Sequence, residues 1–206
     1  MSDPRPSPDD RGWHVLLLGG ASGVGKSQIS YRLARHYGVG LTEVDDFQVI
    51  LQAMTSPDDY PEFHFWRTQP ELANSMSEEE HLAFGRRYAG RMAQAIELVV
   101  ANHFENRTPV LIEGDFVLPA LAAQPRFGEY DSAGQVRSLF LYEEVEDQIR
   151  RNFLAREGDD QPGRARITWR QSEGIRRDAE RLGLPAIPAR PWDTVFERAV
   201  AAIDGP

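Results

Sequence analysis

Short runs of apolar residues alternate along the chain with segments of helical periodicity. Residues 14–18 are nearly continuous in apolar side chains, and apolar residues then recur at helical spacing from Gly25 to Tyr37. The same patterns predict further strands at about 39–44, 108–116, 135–142 and 184–192. They predict further helices at about 47–54, 78–104, 143–157, 167–182 and 192–203. Strands without a polar face, alternating with helices, predict a parallel sheet that is covered on both faces.

Composition narrows the class of protein. The 206 residues include 41% apolar and 27% charged side chains, no cysteine, and a formal net charge of −9. This acidic balance argues against nucleic acid as a partner, and no apolar run approaches the ~20 residues of a membrane span. The lack of cysteine excludes disulfides and favours a cytoplasmic location. We expect a disordered leader at 1–12 and a single domain at 13–206, and a homodimer is left open.

Residues 20–27, GASGVGKS, match the pattern G-x-x-x-x-G-K-[ST] between a predicted strand and a predicted helix. Glycines let the backbone N–H groups approach an anion, and the helix N-terminus adds its positive end. Lys26 is the only lysine among the 23 basic side chains, which supports a position that requires an ammonium. The predicted nucleotide-binding residues here are Gly20, Ser22, Gly23, Val24, Gly25, Lys26, Ser27 and Gln28.

The phosphate loop fits several classes of protein, and other features separate them. A GTPase would need a guanine-reading N-K-x-D motif, which a chain with a single lysine cannot contain. ATP-driven machines usually end the third strand in an aspartate, whereas this strand has Glu113 in that place. Small-molecule kinases therefore remain, with Ser27 as the predicted magnesium ligand and Glu113 or Asp45 assisting through water.

Two acidic residues, Asp45 and Asp46, follow the second predicted strand. A kinase that acts on a hydroxyl uses a carboxylate to accept the proton and orient the nucleophile. Because adjacent strand residues point to opposite faces, we expect Asp45 to face the substrate and Asp46 to be the N-cap of the next helix. The alternative is that both are capping or turn residues.

Arginines surround the flexible sequence EGDDQPG, in a predicted lid at about 145–182. A mobile segment of this kind can close over a nucleotide and offset charge on the transferring group. Arg156, at the end of the helix, is the best single candidate, although these arginines also fit a solvated helix face paired with nearby glutamates. After the last strand, Arg190 in IPARPW is placed to pack against an adenine ring, and an ordinary strand-to-helix turn fits equally well.

Taken in order, these segments resemble the small P-loop kinases related to 2-phosphoglycerate kinase and to the chloramphenicol-phosphotransferase-like enzymes. The resemblance is carried by GGASGVGKSQISYRLA, VDDF, VLIEGDFVLP, FLAREGD and IPARPW. It implies a three-layer α/β P-loop NTPase fold with a five-stranded parallel sheet, a helical lid and a helical acceptor-site insertion. It further implies ATP and Mg²⁺ as cofactors, a small-molecule hydroxyl as phosphate acceptor, and Lys26, Asp45 and Arg156 as catalytic residues.

The segment between the second and third strands, about 55–105, is where this family places its acceptor site. Aromatic and basic residues mix here, which suits an aromatic, sugar-like or nucleoside-like acceptor at least as well as phosphoglycerate. The alternative is that the aromatics are a small core under a long loop. The expected acceptor-binding residues are Asp45, Phe47, His64, Trp66, Arg86 and Glu113. Two other functions stay open: a nucleotide-binding ATPase with a regulatory role, and a toxin-like kinase of a cell-wall precursor.

Overall fold

The computed structural model describes residues 12–205, so the leader expected at 1–12 lies outside the described residues apart from Gly12. Five strands form one parallel sheet: β1 (Val15–Gly20), β2 (Gly40–Glu43), β3 (Val110–Gly114), β6 (Val136–Tyr142) and β7 (Ala186–Pro188). Two short strands, β4 (Arg126–Phe127) and β5 (Tyr130–Asp131), form a separate antiparallel pair that the sequence patterns do not predict. The predicted α/β fold with a five-stranded parallel sheet is confirmed.

Helices fill most of the connections between the strands. The first five are α1 (Lys26–Tyr37), α2 (Val44–Met54), α3 (Pro61–Thr68), α4 (Pro70–Ser75) and α5 (Glu78–Glu105). The others are α6 (Pro119–Ala122), α7 (Glu146–Glu157), α8 (Pro162–Arg181) and α9 (Val195–Asp204), which follows a 3₁₀ turn at Trp192–Thr194. Helices α1 and α9 contact each other and the sheet, while α6 and α8 pack together against β6. Helices therefore enclose the sheet, as its continuous apolar strands require.

The strand order is β2-β3-β1-β6-β7. Strand β1 lies at the centre, with Leu18 opposite Glu113 of β3 on one side and Leu139 of β6 on the other. Strand β3 lies between β2 and β1. Burial explains the order: every residue of β3 is buried, whereas β2 is half exposed and forms an edge.

The structure corrects the predicted start of the helix after β2. Helix α2 begins at Val44, so Asp46 lies in its first turn and the N-cap is Glu43, without a side-chain capping bond. The prediction that Asp46 caps this helix is therefore wrong. Both aspartates still contribute negative charge where the helix dipole favours it.

Other helix boundaries agree with expectation or move by a few residues. Ser77 and Glu80 form a capping box at the start of α5, in agreement with the helix start predicted at about 78. Helix α7 ends at Glu157 and helix α8 begins at Pro162, so only 158–161 of the sequence EGDDQPG lie outside a helix. Proline favours the first turn of a helix, where its missing N–H is not needed. No helix in the described range is long and apolar enough to cross a membrane.

The lid segment has a small core of its own. Ile149 and Phe153 of α7 are buried against Ala165 of α8, with Trp169 packed alongside. The main core is a separate and much larger cluster that includes the strands and the helices that cover them. Farther along α8, Ile175 and Ala179 belong to the main core, so α8 connects the lid to the sheet.

Candidate active site

A cavity of about 640 Å³ opens at the carboxyl ends of the strands, where parallel sheets place their ligands. Its walls come from the phosphate loop, the first turn of α2, the end of β3, one face of α7 and the loop after β7. The lining residues are Ser22, Gly23, Val24, Gly25, Lys26, Ser27, Gln28, Asp45, Glu113, Gly114, Asp115, Asn152, Ala155, Arg156, Arg190 and Trp192. Segments far apart in sequence therefore meet at one site.

The phosphate loop depends on glycine at two positions. Gly25, the N-cap of α1, has a φ of 100°, and a Cβ there would lie 2.4 Å from the ring of Trp192. Gly23 has a φ of 76°, and a Cβ there would lie 2.9 Å from the ring of Phe153. Positive φ and close aromatic neighbours both exclude larger residues. The loop thus presents its backbone N–H groups, a geometry that fits a polyphosphate.

Lys26 is buried beneath this loop, with 6% of its surface exposed. Its Nζ donates to the carbonyl of Ala21 at 3.1 Å and to Oδ1 of Asp115 at 2.5 Å. Asp115 was not among the predicted site residues. It follows β3 directly, so inspection of every polar residue at a strand end would have found it.

Ser27 and Glu113 are paired at the edge of the cavity. The Ser27 hydroxyl donates to Oε1 of Glu113 at 2.7 Å. Burial raises the pKa of the Glu113 carboxyl, while the bond from Ser27 and the charge of Lys26 oppose the shift. No cluster of three or more His, Cys, Asp or Glu that could hold a metal occurs within 12–205. A hydroxyl and one carboxylate still fit Mg²⁺, which takes few protein ligands and completes its shell with phosphate oxygens and water.

Asp45 reaches the cavity from the first turn of α2. That turn packs tightly on β3, since a Cβ on Gly114 would lie 2.6 Å from Cβ of Val44. The Asp45 side chain is exposed to the open cavity. Desolvation by the surrounding protein raises its pKa, and the charge of Asp115 adds to this, while Lys26 opposes it. The carboxylate therefore has a higher proton affinity than an ordinary aspartate, which suits a proton acceptor.

The lid helix α7 contacts the phosphate loop directly. The side-chain amide of Asn152 donates to the carbonyl of Gly23 at 2.7 Å. One turn later Arg156 lines the same cavity and donates to Glu157 at 2.5 Å. Arg156, together with Gln161 and Arg164, lowers the pKa of Glu157 to about 2, so this carboxylate stays ionised. Asn152 was missed by the sequence reasoning, because an asparagine within a helix carries no distinctive pattern.

Arg190 and Trp192 form the wall opposite the lid. Arg190 lies over the Trp192 ring, 5.4 Å from its centroid, and its Nε lies 3.4 Å from Oε2 of Glu143. Glu143 is almost completely buried, with 2% exposed. A buried carboxylate orients the guanidinium, and an indole ring beside it offers a flat apolar face to a ligand.

Four predicted acceptor residues do not line this cavity. His64 is buried in α3, where its Nε2 and Nδ1 contact Thr55 and Arg67 at 3.1 and 3.0 Å. Trp66 is half exposed and stacks on His81, while Phe47 packs on the main core and Arg86 is exposed on α5. Nearby aromatic rings form a buried cluster: Phe63, Phe65, Phe84 and Tyr88. Most aromatics of the insertion therefore serve as a core.

Sequence comparison finds relatives among curated proteins. The chain is 27% identical over 150 residues to a 2-phosphoglycerate kinase of Methanococcus maripaludis strain C7, and 27% identical over 153 residues to one of Methanococcus vannielii. The matched region is 69% of this chain and 47% of each relative, so the chain spans about half their length. No protein-family model matches. The resemblance to 2-phosphoglycerate kinases indicated by the motifs is confirmed as a similarity of sequence.

Solved structures share the fold. A shikimate kinase from Acinetobacter baumannii, in complex with shikimate, superimposes with a TM-score of 0.54 at 14% identity, covering 95% of this chain and 93% of that one. A sugar kinase from Janibacter superimposes with a TM-score of 0.53 at 18% identity, covering 93% and 95%. At this identity the likeness establishes the fold, and the fold is that of P-loop kinases.

Proposed function

We propose that this protein is an ATP-dependent phosphotransferase that phosphorylates a hydroxyl group of a small molecule. One observation carries the proposal: a phosphate loop, a Ser27–Glu113 pair and the carboxylate of Asp45 line one cavity with the lid arginine Arg156. Phosphoryl transfer uses groups of each of these kinds: a phosphate-binding loop, metal ligands, a carboxylate base and an arginine. Similarity to 2-phosphoglycerate kinases and the shared P-loop kinase fold support it.

The phosphate-binding role belongs to the loop at 20–27. Its backbone N–H groups and the N-terminus of α1 would hold the β- and γ-phosphates, and Lys26 would exchange Asp115 for them. Ser27 and Glu113 would hold Mg²⁺. When bound, MgATP supplies the transferable phosphoryl group and the divalent charge that stabilises it. Arg190, beside Trp192, would contact the adenine.

Asp45 is the proposed base. It would accept a hydrogen bond from the acceptor hydroxyl and orient that oxygen toward the γ-phosphate. In the step itself the acceptor O–H bond breaks, an O–P bond forms, the bond from the γ-phosphorus to the oxygen it shares with the β-phosphate breaks, and the proton passes to Asp45. Arg156 would leave Glu157 to offset the charge on the transferring group.

The acceptor-binding roles of Phe47, His64, Trp66 and Arg86 stay predictions that need the insertion to rearrange. A cytoplasmic location, the absence of nucleic-acid and membrane partners, and the division into a leader and one domain stay predictions as well. So does the homodimer that the sequence leaves open.

A screen for ADP release tests the proposed function. Purified protein with MgATP would be offered sugars, amino sugars, nucleosides, phosphorylated acids and antibiotics, with mass spectrometry of each product. We expect acceptor-dependent ADP release and a product heavier by one phosphoryl group, both lost in Lys26→Ala. ATP binding without acceptor-dependent ADP release from any compound would contradict the proposal and favour the regulatory alternative.

A further inference from the structure

Resting on the proposed function, we infer that the acceptor is an uncharged or cationic polyhydroxy compound, such as a sugar or an amino sugar, bound by Asp45 and Asp115. Phosphorylated and carboxylic acids would be poor acceptors. The geometry points to this through the distribution of charge in the cavity and through the positions of the arginines in the insertion.

The charged groups that line the cavity come from different segments of the chain. The cations Lys26, Arg156 and Arg190 lie on the phosphate loop, the lid and the loop after β7. The carboxylates of Asp45, Glu113 and Asp115 lie on the first turn of α2 and the end of β3. Parallel β3 and β1 end side by side, so these carboxylates stand next to the phosphate loop, where an acceptor must approach the γ-phosphate.

Nucleotide binding changes the pairing of Asp115. In the free protein Asp115 is neutralised by Lys26 at 2.5 Å. Once the ammonium turns to the phosphates, Asp115, whose side chain is 31% exposed, loses that partner and becomes available to a hydroxyl or an ammonium of the acceptor. Asp45 senses the same charge, which raises its pKa. Two carboxylates beside an anionic nucleotide repel an anionic acceptor and accept hydrogen bonds from hydroxyls or an ammonium.

Three of the four arginines of the segment 55–105 have partners away from the cavity, and the fourth, Arg86, is exposed on α5. Arg67 contacts His64, Arg91 pairs with Glu62 at 3.3 Å, and Arg87 lies over the ring of Phe84. Among the described residues, no arginine of the segment 55–105 lines the cavity. The insertion therefore supplies no converging cations to the acceptor side.

The lid arginines are also committed. Arg150 pairs with Asp160, Arg164 with Glu157, and Arg166 with Glu78 of α5. Closure of the lid over the cavity brings Arg156, which faces the phosphate loop. A phosphorylated acid would compete with carboxylates that already pair with these arginines, whereas a polyol or amine can use the carboxylates that line the cavity.

The inference is tested by comparing acceptors that are similar in size and differ in charge. With saturating MgATP, kcat/KM would be measured for glucose, glucosamine, glucose 6-phosphate, glycerol, glycerate, 2-phosphoglycerate and a set of nucleosides and aminoglycosides. We expect the best uncharged or cationic acceptor to exceed the best acid by about tenfold or more. If an acid is the best acceptor, the inference is overturned and the kinase function stands. If no class releases ADP, the proposed function and the inference both fall.

The variant Asp115→Asn tests the assigned residue, and Asp46→Asn is its control: an aspartate in the same corner of the fold that does not line the cavity. We expect Asp115→Asn to raise the KM of the best acceptor about tenfold, more for an amine than for a neutral polyol, without raising the KM of ATP. Asp46→Asn should change neither. A raised KM of ATP with unchanged acceptor KM would show that Asp115 only positions Lys26, and would overturn its assignment.

Discussion

Single side chains in this cavity are held by specific partners before any ligand is present. Lys26 is fixed between a backbone carbonyl and Asp115, and the hydroxyl of Ser27 is bonded to Glu113. Such pre-organisation lowers the cost of ordering the site when a ligand binds. Burial and neighbouring charges raise the pKa of Asp45 and of Glu113, which gives two predictions at this scale.

The pH dependence of turnover is expected to follow the ionisation of the Asp45 carboxyl. A base must be ionised, and because desolvation and Asp115 raise the pKa of Asp45, the acid limb of kcat/KM lies above the pH of an ordinary aspartate. Asp115→Asn removes one cause of the shift, so its acid limb moves to lower pH. Asp45→Asn should lose at least about 100-fold in kcat with the fold retained. Circular dichroism checks the fold, and an unmoved acid limb in Asp115→Asn would contradict the electrostatic account.

The Mg²⁺ concentration needed for activity is expected to depend on the carboxylate charge of Glu113. In Glu113→Gln the hydrogen bond from Ser27 can remain but the carboxylate charge is lost, so the Mg²⁺ concentration for half-maximal activity should rise about tenfold. Metal binding requires the ionised form, and the pKa of Glu113 is raised, so wild-type Mg²⁺ affinity falls as the pH falls through that pKa. The Gln variant should lack this pH dependence. A titration of activity against Mg²⁺ at several pH values, for the wild type and for Glu113→Gln, tests both expectations.

At the scale of elements, helix α7 links the lid to the phosphate loop. Phe153 packs beneath Gly23 and Asn152 bonds its carbonyl, while Arg156 follows on the same face. The start of α8 packs on α7 through Ala165, whereas Ile175 and Ala179 later in α8 belong to the main core. A position that anchors the lid should affect nucleotide binding more than overall stability.

Asn152→Ala removes that anchor. Loss of one hydrogen bond corresponds to a change of roughly two- to tenfold, and we expect the KM of ATP to rise by this amount with little change in the melting temperature. The control is Leu154→Ala, an exposed residue of the same helix that does not line the cavity. Equal effects of the two substitutions on the KM of ATP would contradict a specific role for Asn152.

Sequence patterns predicted most of these elements because each strand and helix has its own hydrophobic period. The capping box at Ser77 marked the start of α5 correctly, since its hydrogen bonds are local. The start of α2 was misplaced, because Val44 continues the apolar pattern of β2 yet packs on Gly114 as the first helical residue. Boundaries set by tertiary packing are the ones that local patterns miss.

On the scale of the whole molecule, the sheet, the lid and the loop after β7 all contribute residues to one cavity. Ligand binding should therefore stabilise the entire fold. At about 100 times its dissociation constant, MgATP adds roughly 2.7 kcal/mol. For a chain of this size that corresponds to a rise of about 5–10 °C in melting temperature. Thermal denaturation with and without MgATP measures the rise, and Lys26→Ala should abolish most of it. An equal rise in that variant would place the nucleotide elsewhere.

The sequence by itself determined the alternation of strands and helices, the phosphate loop, and the choice of Lys26, Ser27, Asp45, Glu113, Arg156 and Arg190 as candidates. These follow from local chemistry: hydrophobic period, glycine geometry and polar residues at strand ends. Only the tertiary structure decided that β3 lies between β1 and β2, and thereby that Asp115 pairs with Lys26.

Tertiary structure also decided that His64 is buried and that Asn152 meets the phosphate loop. The contacts of Lys26 with Asp115 and of Gly23 with Asn152 join residues that are 89 and 129 positions apart. Strand order and helix packing set such pairings, and no local pattern in a single sequence encodes them.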